Sequence, residues 1–212
     1  MELRIEPELH TARVVIRPWR PAEVERLYDI VRRRDVTAWL GDPEPWTREQ
    51  VDSFIESNRQ TAGLPIRLAI VPVESGLPVG TVMIELFANG DPHLGWFLHP
   101  DAQGHGWATE AGAAMLEVAV ATGAPRIWAG MWPHNTGSAG ICRRIGMVDL
   151  GRQDDPWYGT IEYPLSRLFC VWQPDAEHPL DVLARLNATV RREHATAQPP
   201  IGRDGAKYPG SA

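Results

Sequence analysis

Apolar positions in the first half of the chain alternate between the periods of strands and helices. A β-branched run stopped by Pro18 predicts a first strand, and Pro21 opens a segment whose apolar residues recur every three or four positions. Residues 47–50 have the form of a capping box, which predicts the start of a second helix. The predicted elements of this half are a strand over residues 13–17, helices over 21–31 and 47–59, and strands over 66–73, 79–87 and 94–98.

The pattern changes after Pro100, where strands and helices begin to alternate. Apolar residues recur on one face of the segment that begins at Gly104, and Gly146 ends a second helical segment. A meander of strands followed by alternating helices and strands predicts an α/β sheet that mixes parallel and antiparallel pairing. The predicted elements are helices over 104–122, 136–145 and 179–192, strands over 126–131, 148–153 and 162–172, and a disordered tail over 195–212.

The composition narrows the class of protein. The 212 residues carry a formal net charge of −6, which argues against a nucleic-acid binder because its docking face would need clustered Lys and Arg. No apolar run approaches the roughly 20 residues that span a bilayer, and residues 1–10 lack the pattern of a signal peptide. The two cysteines, Cys142 and Cys170, do not make a disulfide framework. We therefore expect a cytoplasmic protein that binds neither nucleic acid nor membrane.

One turn carries the clearest chemical signal. The strand over residues 94–98 leads into a turn with Gly104 and Gly106, and that turn becomes the start of a helix. The first helical N–H groups have no acceptor within the helix, and the helix dipole makes this end positive, so the turn suits an anion such as a diphosphate. A P-loop would need Gly-Lys-Ser/Thr, and Thr109 stands where a dinucleotide fold needs its third glycine. The turn alone is equally compatible with a simple reversal of the chain.

Two motifs together resemble the GNAT superfamily of acyl-CoA N-acyltransferases. The family's Arg/Gln-x-x-Gly-x-Gly/Ala loop is matched by Gln103, Gly106 and Ala108. The nearest branch resembles the ribosomal-protein alanine N-acetyltransferases, in which His-Pro is followed by Gly-x-Gly-aromatic-Ala-Thr-Glu-Ala, as in residues 99–111. The second motif of that branch is an Asn, a small residue three positions later and a Gly-Phe pair. It is matched by Asn135, Ser138 and Gly146–Met147, with Met in place of Phe.

The resemblance covers about residues 10–173 and implies a fold, a domain division and a co-substrate. It implies an α/β (α+β) domain over residues 1–173 with a GNAT-type mixed, mostly antiparallel central sheet flanked by helices. A C-terminal helix and tail over 174–212 would follow. It also implies acetyl-CoA as co-substrate, with the loop backbone on the diphosphate and the preceding strand pairing with the pantetheine arm like an added strand. Either Arg143 or Arg144 is expected to reach a coenzyme phosphate, and Arg143 is the one that we predict to bind it. The expected coenzyme-binding residues are Trp96, Phe97, Leu98, Gln103, Gly104, His105, Gly106, Trp107, Ala108, Thr109, Asn135 and Arg143.

Acetyl transfer needs a neutral amine and a proton for the leaving thiolate. Many family members supply that proton from a Tyr seven residues after the Asn, but this chain has Cys142 there. The resemblance to the nearest branch implies Ser138 as the acid, although a serine at the start of a helix can equally bond to the backbone. The candidates for the base are Glu85 first and His134 second, and those for contact with the acceptor are Tyr158 and Glu162.

Several acceptors stay open. A protein or peptide N-terminal amine is the leading prediction, because an α-amine with a pKa near 8 is roughly one-tenth neutral at pH 7, whereas a Lys near 10.4 is about one part in 2,500. A small amine such as an amino acid, polyamine or antibiotic is the first alternative, and a non-catalytic acyl-CoA-binding protein is the second. A homodimer is also left open. No metal is expected, because metal-site spacing is lacking at His93, His99, His105 and His134.

Overall fold

The structure is a computed structural model, and it describes residues 8–40, 44–57, 65–87, 89–157 and 165–196. The strands within these residues are β1 (Leu9–His10), β2 (Val14–Arg17), β3 (Ile66–Pro72), β4 (Gly80–Leu86), β5 (Pro92–Leu98), β6 (Arg126–Met131), β7 (Val148–Asp154) and β8 (Leu165–Trp172). The helices are α1 (Val24–Val31), α2 (Arg34–Thr37), α3 (Arg48–Ser57), α4 (Trp107–Ala121), α5 (Thr136–Arg144) and α6 (Pro179–Thr196). Two short 3₁₀ helices lie at Pro21–Glu23 and Pro100–Ala102.

The described strands form one sheet in the order β1-β2-β3-β4-β5-β6-β8-β7. Neighbouring strands are antiparallel except for β5 and β6, which run parallel. The parallel pair follows from its connection, because α4 provides the crossover that parallel neighbours need. The predicted mixed, mostly antiparallel sheet flanked by helices is confirmed.

Helix α4 packs on one face of the sheet and is the central helix of the core. Its buried side includes Ala108, Ala111 and Met115, which pack against the apolar side chains of β2 to β5. A Cβ added at Gly112 would lie 3.5 Å from the ring of Trp96 on β5. Small residues on α4 therefore let the helix lie close to the strand that borders the candidate site.

Helices α1 and α3 cover the opposite face, where Leu27, Val51 and Phe97 share a second cluster. Helix α6 covers the far end of the sheet, and its Val182 and Leu183 pack with the side chains of β6 and β8. The helix after Pro174 thus buries apolar side chains against the sheet. Among the described helices, none is long and apolar enough to cross a membrane.

Most predicted boundaries agree with the structure to within three residues, and the differences below have a physical reason. Helix α4 begins at Trp107 and not at Gly104, because the φ angles of Gly104 (83°) and Gly106 (81°) are left-handed and cannot continue a right-handed helix. The short β1 and α2 were not predicted, since elements of two and four residues are too short to show a period. Helix α6 continues to Thr196, past the predicted end at 192, so residues 195–196 belong to it. The rest of the predicted tail, residues 197–212, lies outside the described part.

Candidate active site

A cleft of about 1750 Å³ opens where β5 and β6 diverge. Within the described residues the two strands pair only at His93 and Trp128, while the other edge of β5 pairs with β4 along its whole length. Beyond His93 the free edge of β5 therefore faces the cleft. Trp96, Phe97 and Leu98 line it there, where an extended ligand could add to the edge as a strand does.

The side chain of His93 fills the point at which the strands separate. Its Nε2 accepts a hydrogen bond of 3.1 Å from the backbone N–H of Gly130 on β6. Burial lowers the pKa of His93 to about 4, so the ring is neutral near pH 7 and keeps the lone pair that this bond needs. In the sequence His93 could be weighed only as a metal ligand, and its bond to β6 was not predicted.

The Gly-rich turn contributes to the lining of the cleft. Gly106 is the N-cap of α4, and no side chain caps the first turn of this helix. The side chain of His105 turns away from the cleft, with Nδ1 3.0 Å from the carbonyl oxygen of Gln103 and its ring stacked on Trp107. The uncapped amides of the turn are donors for an anion. The residues of this stretch that line the cleft are Gln103, Gly104, Gly106, Trp107, Ala108 and Thr109.

The start of α5 brings a polar pair to the same cleft. Asn135 is the N-cap of α5, and its Oδ1 accepts a 3.0 Å hydrogen bond from the backbone N–H of Ser138. This bond fixes the Asn135 side chain, whose amide nitrogen can donate a hydrogen bond to a ligand. Ser138 also lines the cleft, and its hydroxyl can donate a proton or a hydrogen bond.

Cys142 cannot replace Ser138 as an acid. It is fully buried in the core between α4 and α5 and does not line the cleft. Burial raises the pKa of the Cys142 thiol to about 12. The thiol at the position of the family's tyrosine therefore serves packing.

The two arginines of α5 point in different directions. Arg143 forms an ion pair of 2.9 Å with Asp149 and does not line the cleft, in contrast to the expectation that it reaches a coenzyme phosphate. Arg144 lines the cleft, and its Nε lies 3.4 Å from the hydroxyl of Thr109 on α4. Since Thr109 follows the Gly-rich turn, Arg144 is the arginine of this pair near the anion site.

The lining of the cleft also includes the candidate base, Glu85, and aromatic side chains. Glu85 belongs to β4, and its Oε1 accepts a 2.6 Å hydrogen bond from Nε of Arg67 on β3. His134 also lines the cleft, with its ring 5.3 Å from that of Trp39, which is 39% exposed. Tyr158 and Glu162 lie outside the described residues. Among the residues that are described, no group of three or more His, Cys, Asp or Glu could hold a metal ion.

The geometry and the comparisons with known proteins lead to the same family. The family model of the GNAT acetyltransferase domain matches residues 13–148. The chain belongs to this family. It is an acyl-CoA-dependent N-acetyltransferase by that membership, and a search of curated proteins gave no match.

Solved GNAT structures share the fold at low sequence identity. A GNAT-family acetyltransferase from Bacillus anthracis is 20% identical with a TM-score of 0.67, over 78% of this chain and 98% of that one. RimL, a ribosomal L7/L12 α-N-protein acetyltransferase in complex with coenzyme A, is 17% identical with a TM-score of 0.64, over 79% and 97%. The microcin C7 self-immunity acetyltransferase MccE, in complex with acetyl-CoA and AMP, is 17% identical with a TM-score of 0.64, over 77% and 94%.

The site fits the co-substrate of these GNAT proteins at several features of this chain. The uncapped amides of the Gly-rich turn suit a diphosphate, and the free edge of β5 suits an amide-containing arm. A backbone N–H on that edge can polarise a thioester carbonyl. Asn135 and Ser138 stand across the cleft, on α5. The cleft contains residues from both faces of the sheet, because Trp107 belongs to α4 and Phe54 to α3.

Proposed function

We propose that the chain transfers an acetyl group from acetyl-CoA to the N-terminal amine of a protein or peptide. The observation that carries this proposal is that two ionisable groups of the cleft, Glu85 and His93, are engaged by other groups of the protein. Glu85 is tied to the guanidinium of Arg67, and the pKa of His93 is lowered to about 4 while its Nε2 bonds Gly130. Groups of this kind suit an amine that gives up its proton easily.

The cost of deprotonation separates the acceptor classes. An α-ammonium with a pKa near 8 is about 2.4 units more acidic than a lysine near 10.4, which corresponds to about 3 kcal/mol. A lysine would need a dry, unpaired base to offset that difference. An α-amine needs only water and a carboxylate that holds it in place, and Glu85 supplies the carboxylate.

With these residues, the bonds and protons of acetyl transfer can be accounted for as follows. The amine nitrogen attacks the thioester carbonyl carbon, so that a C–N bond forms and the C–S bond breaks. The ammonium gives one proton to water beside Glu85 before the attack, and the nitrogen gives a second proton to solvent once the C–N bond has formed. Ser138 donates a proton to the departing sulfur and takes one back from solvent. The net change is one ammonium and one thioester to one amide, one thiol and one released proton.

The size of the cleft supports a chain terminus as acceptor. A volume of about 1750 Å³ exceeds the roughly 300–1,000 Å³ of ordinary small-molecule pockets. It leaves room for a peptide end beside the coenzyme arm. Asp35 and Glu49 also line the cleft, and their negative charge attracts a cationic terminus.

The test compares amines that differ only in class. Acetyl-CoA is supplied with a lysine-free peptide that has a free N-terminal Ala, with the same peptide N-terminally blocked and carrying one Lys, and with spermidine and free alanine. Thiol release gives the rate and intact mass gives the product. We expect acetylation of the free N-terminus at a kcat/KM at least tenfold above that of the other amines. Equal or faster acetylation of the blocked Lys peptide would overturn the proposal.

A small amine is the second candidate, and one observation favours it. The exposed ring of Trp39 stands against His134 in the lining of the cleft, and aromatic rings bind flat or cationic small molecules. MccE, a structural neighbour, was solved with AMP in addition to acetyl-CoA. Faster acetylation of free alanine or spermidine than of the peptide would support this candidate.

A further inference from the structure

Arg13, which directly precedes β2, is hydrogen-bonded to the backbone of the Gly-rich turn. Nη1 of Arg13 donates a 3.1 Å hydrogen bond to the carbonyl oxygen of His105, and its Nε donates a 2.7 Å bond to Glu110 on the first turn of α4. A Cβ at Gly106 would lie 3.2 Å from Nη2 of Arg13. Arg13 and His105 do not line the cleft, whereas Gly106 does. The guanidinium therefore lies on the outer side of the turn.

Glu110 fixes this arginine through several bonds. Its carboxylate accepts 2.6 Å from the hydroxyl of Thr11 and 2.7 Å from the backbone N–H of Arg13, in addition to the bond from the guanidinium. Only 16% of the Glu110 side chain is exposed. The segment before β2 is thus tied to the N-terminus of α4, 97 residues further along the sequence.

We propose that Arg13 is a positioning residue that keeps the amide of Gly106 aimed into the cleft for the coenzyme diphosphate. The C=O of His105 and the N–H of Gly106 belong to one planar trans peptide, so they point in opposite directions. The bond from Arg13 holds the carbonyl on the outer side. The N–H of the same peptide then points to the inner side, where the cleft lies. The inference rests on the proposed placement of the coenzyme.

Without Arg13 this peptide can rotate more freely. The peptide joins His105 to Gly106, whose φ angle of 81° lies in the left-handed region that glycine enters without strain. A rotated peptide would present a carbonyl oxygen to the diphosphate in place of an N–H. The consequence is weaker binding of the coenzyme, while the reacting groups near Ser138 stay as they were.

The experiment separates positioning from general stability by using two acyl donors. Acetyl-CoA carries the diphosphate, whereas S-acetylpantetheine has the same thioester and arm without it. Arg13→Met removes the donors at similar length. Arg185→Met is the matched control, because Arg185 is 57% exposed and paired with Glu177, as Arg13 is 56% exposed and paired with Glu110. Arg13→Lys keeps the charge and one donor.

We expect Arg13→Met to raise the KM for acetyl-CoA and the calorimetric Kd for coenzyme A about tenfold, with kcat changed by less than about twofold. Its kcat/KM for S-acetylpantetheine, taken from initial slopes, should equal that of the wild type. Arg13→Lys should recover part of the affinity, and Arg185→Met should behave as wild type.

Equal losses with both donors, or no loss with either, would overturn the inference. Wild-type protein that does not bind coenzyme A would overturn the proposed function itself. If Arg13→Met does not fold, Arg13→Lys and Glu110→Gln are compared with the wild type on the same two acyl donors.

Discussion

The Gly-rich turn can be tested by adding one methyl group. In Gly106→Ala the residue keeps a left-handed backbone, with φ near 81°, which costs an L residue roughly 1–2 kcal/mol. The new Cβ would lie 3.2 Å from Nη2 of Arg13, so the guanidinium must shift by a few tenths of an ångström. That shift weakens its bond to the carbonyl of His105. We therefore expect a loss of stability and a separate loss of coenzyme binding.

The magnitudes follow from these two effects. For a chain of this size, about 1–2 kcal/mol lowers Tm by about 2–8 °C. Loss of one hydrogen bond to a charged diphosphate costs about 1.5–3 kcal/mol, which corresponds to about 10- to 150-fold in Kd. Thermal unfolding measures the first quantity and calorimetry with coenzyme A the second.

Gly123→Ala is the matched control for strain. Gly123 also has a left-handed φ, 73°, its added Cβ would meet nothing within 4 Å, and it does not line the cleft. It should lose comparable stability and bind coenzyme A as the wild type does. Gly104→Ala adds strain within the turn without the contact to Arg13, so its Kd should lie between the other two. If Gly106→Ala binds coenzyme A with wild-type affinity, or if Gly123→Ala weakens binding as much, the reasoning about the turn is wrong.

Three further predictions concern the acid, the buried thiol and the response to pH. Ser138→Ala should lower kcat about 100-fold or more with little change in the KM for acetyl-CoA; Ser75→Ala, in the turn between β3 and β4, is its control, and equal rates for the two variants would remove Ser138 as the acid. Cys142, buried with its pKa raised to about 12, should resist iodoacetamide at pH 8 until the protein is unfolded, as followed by mass; rapid labelling of the native protein would contradict its burial. Burial alone would raise the pKa of Glu110, but hydrogen bonds from Thr11 and Arg13 outweigh this and lower it. Because the folded pKa is depressed, the contribution of Glu110 to stability is complete above its unfolded pKa of about 4.3 and is lost as pH falls through the folded value. Urea midpoints measured from pH 6 to 3 should therefore fall less steeply for Glu110→Gln than for wild type, and parallel curves would refute this.

Local patterns in the sequence predict most of the sheet and its helices. Residues 126–131 were predicted as a strand and are β6, because a short apolar run between turn signals is typical of a buried strand. The start of α4 was placed too early, since glycines at 104 and 106 are compatible with a helix in sequence and only their φ angles exclude it. Elements as short as β1 form through pairing with β2 and leave no pattern of their own.

Residues of the candidate site that belong to a local motif could be singled out from the sequence. Those that depend on contacts between residues far apart in the sequence could not. Gly104, Gly106 and Ser138, which local motifs single out, all line the cleft. The choice between Arg143 and Arg144 depends on Asp149, which follows α5 and attracts the first of them. His93 and Arg13 act through partners 37 and 92 residues away, and no spacing rule connects such positions.

The divergence of β5 and β6 also bears on the order of the catalytic cycle. Since residues of α4 and of α3 both line the opening between these strands, the proposed function allows donor and acceptor to enter from opposite faces of the sheet. Neither substrate needs to leave before the other arrives, and direct transfer within a ternary complex requires no acylated enzyme. Initial-velocity plots against both substrates should accordingly intersect, as in a sequential mechanism, and the two products can depart by different routes.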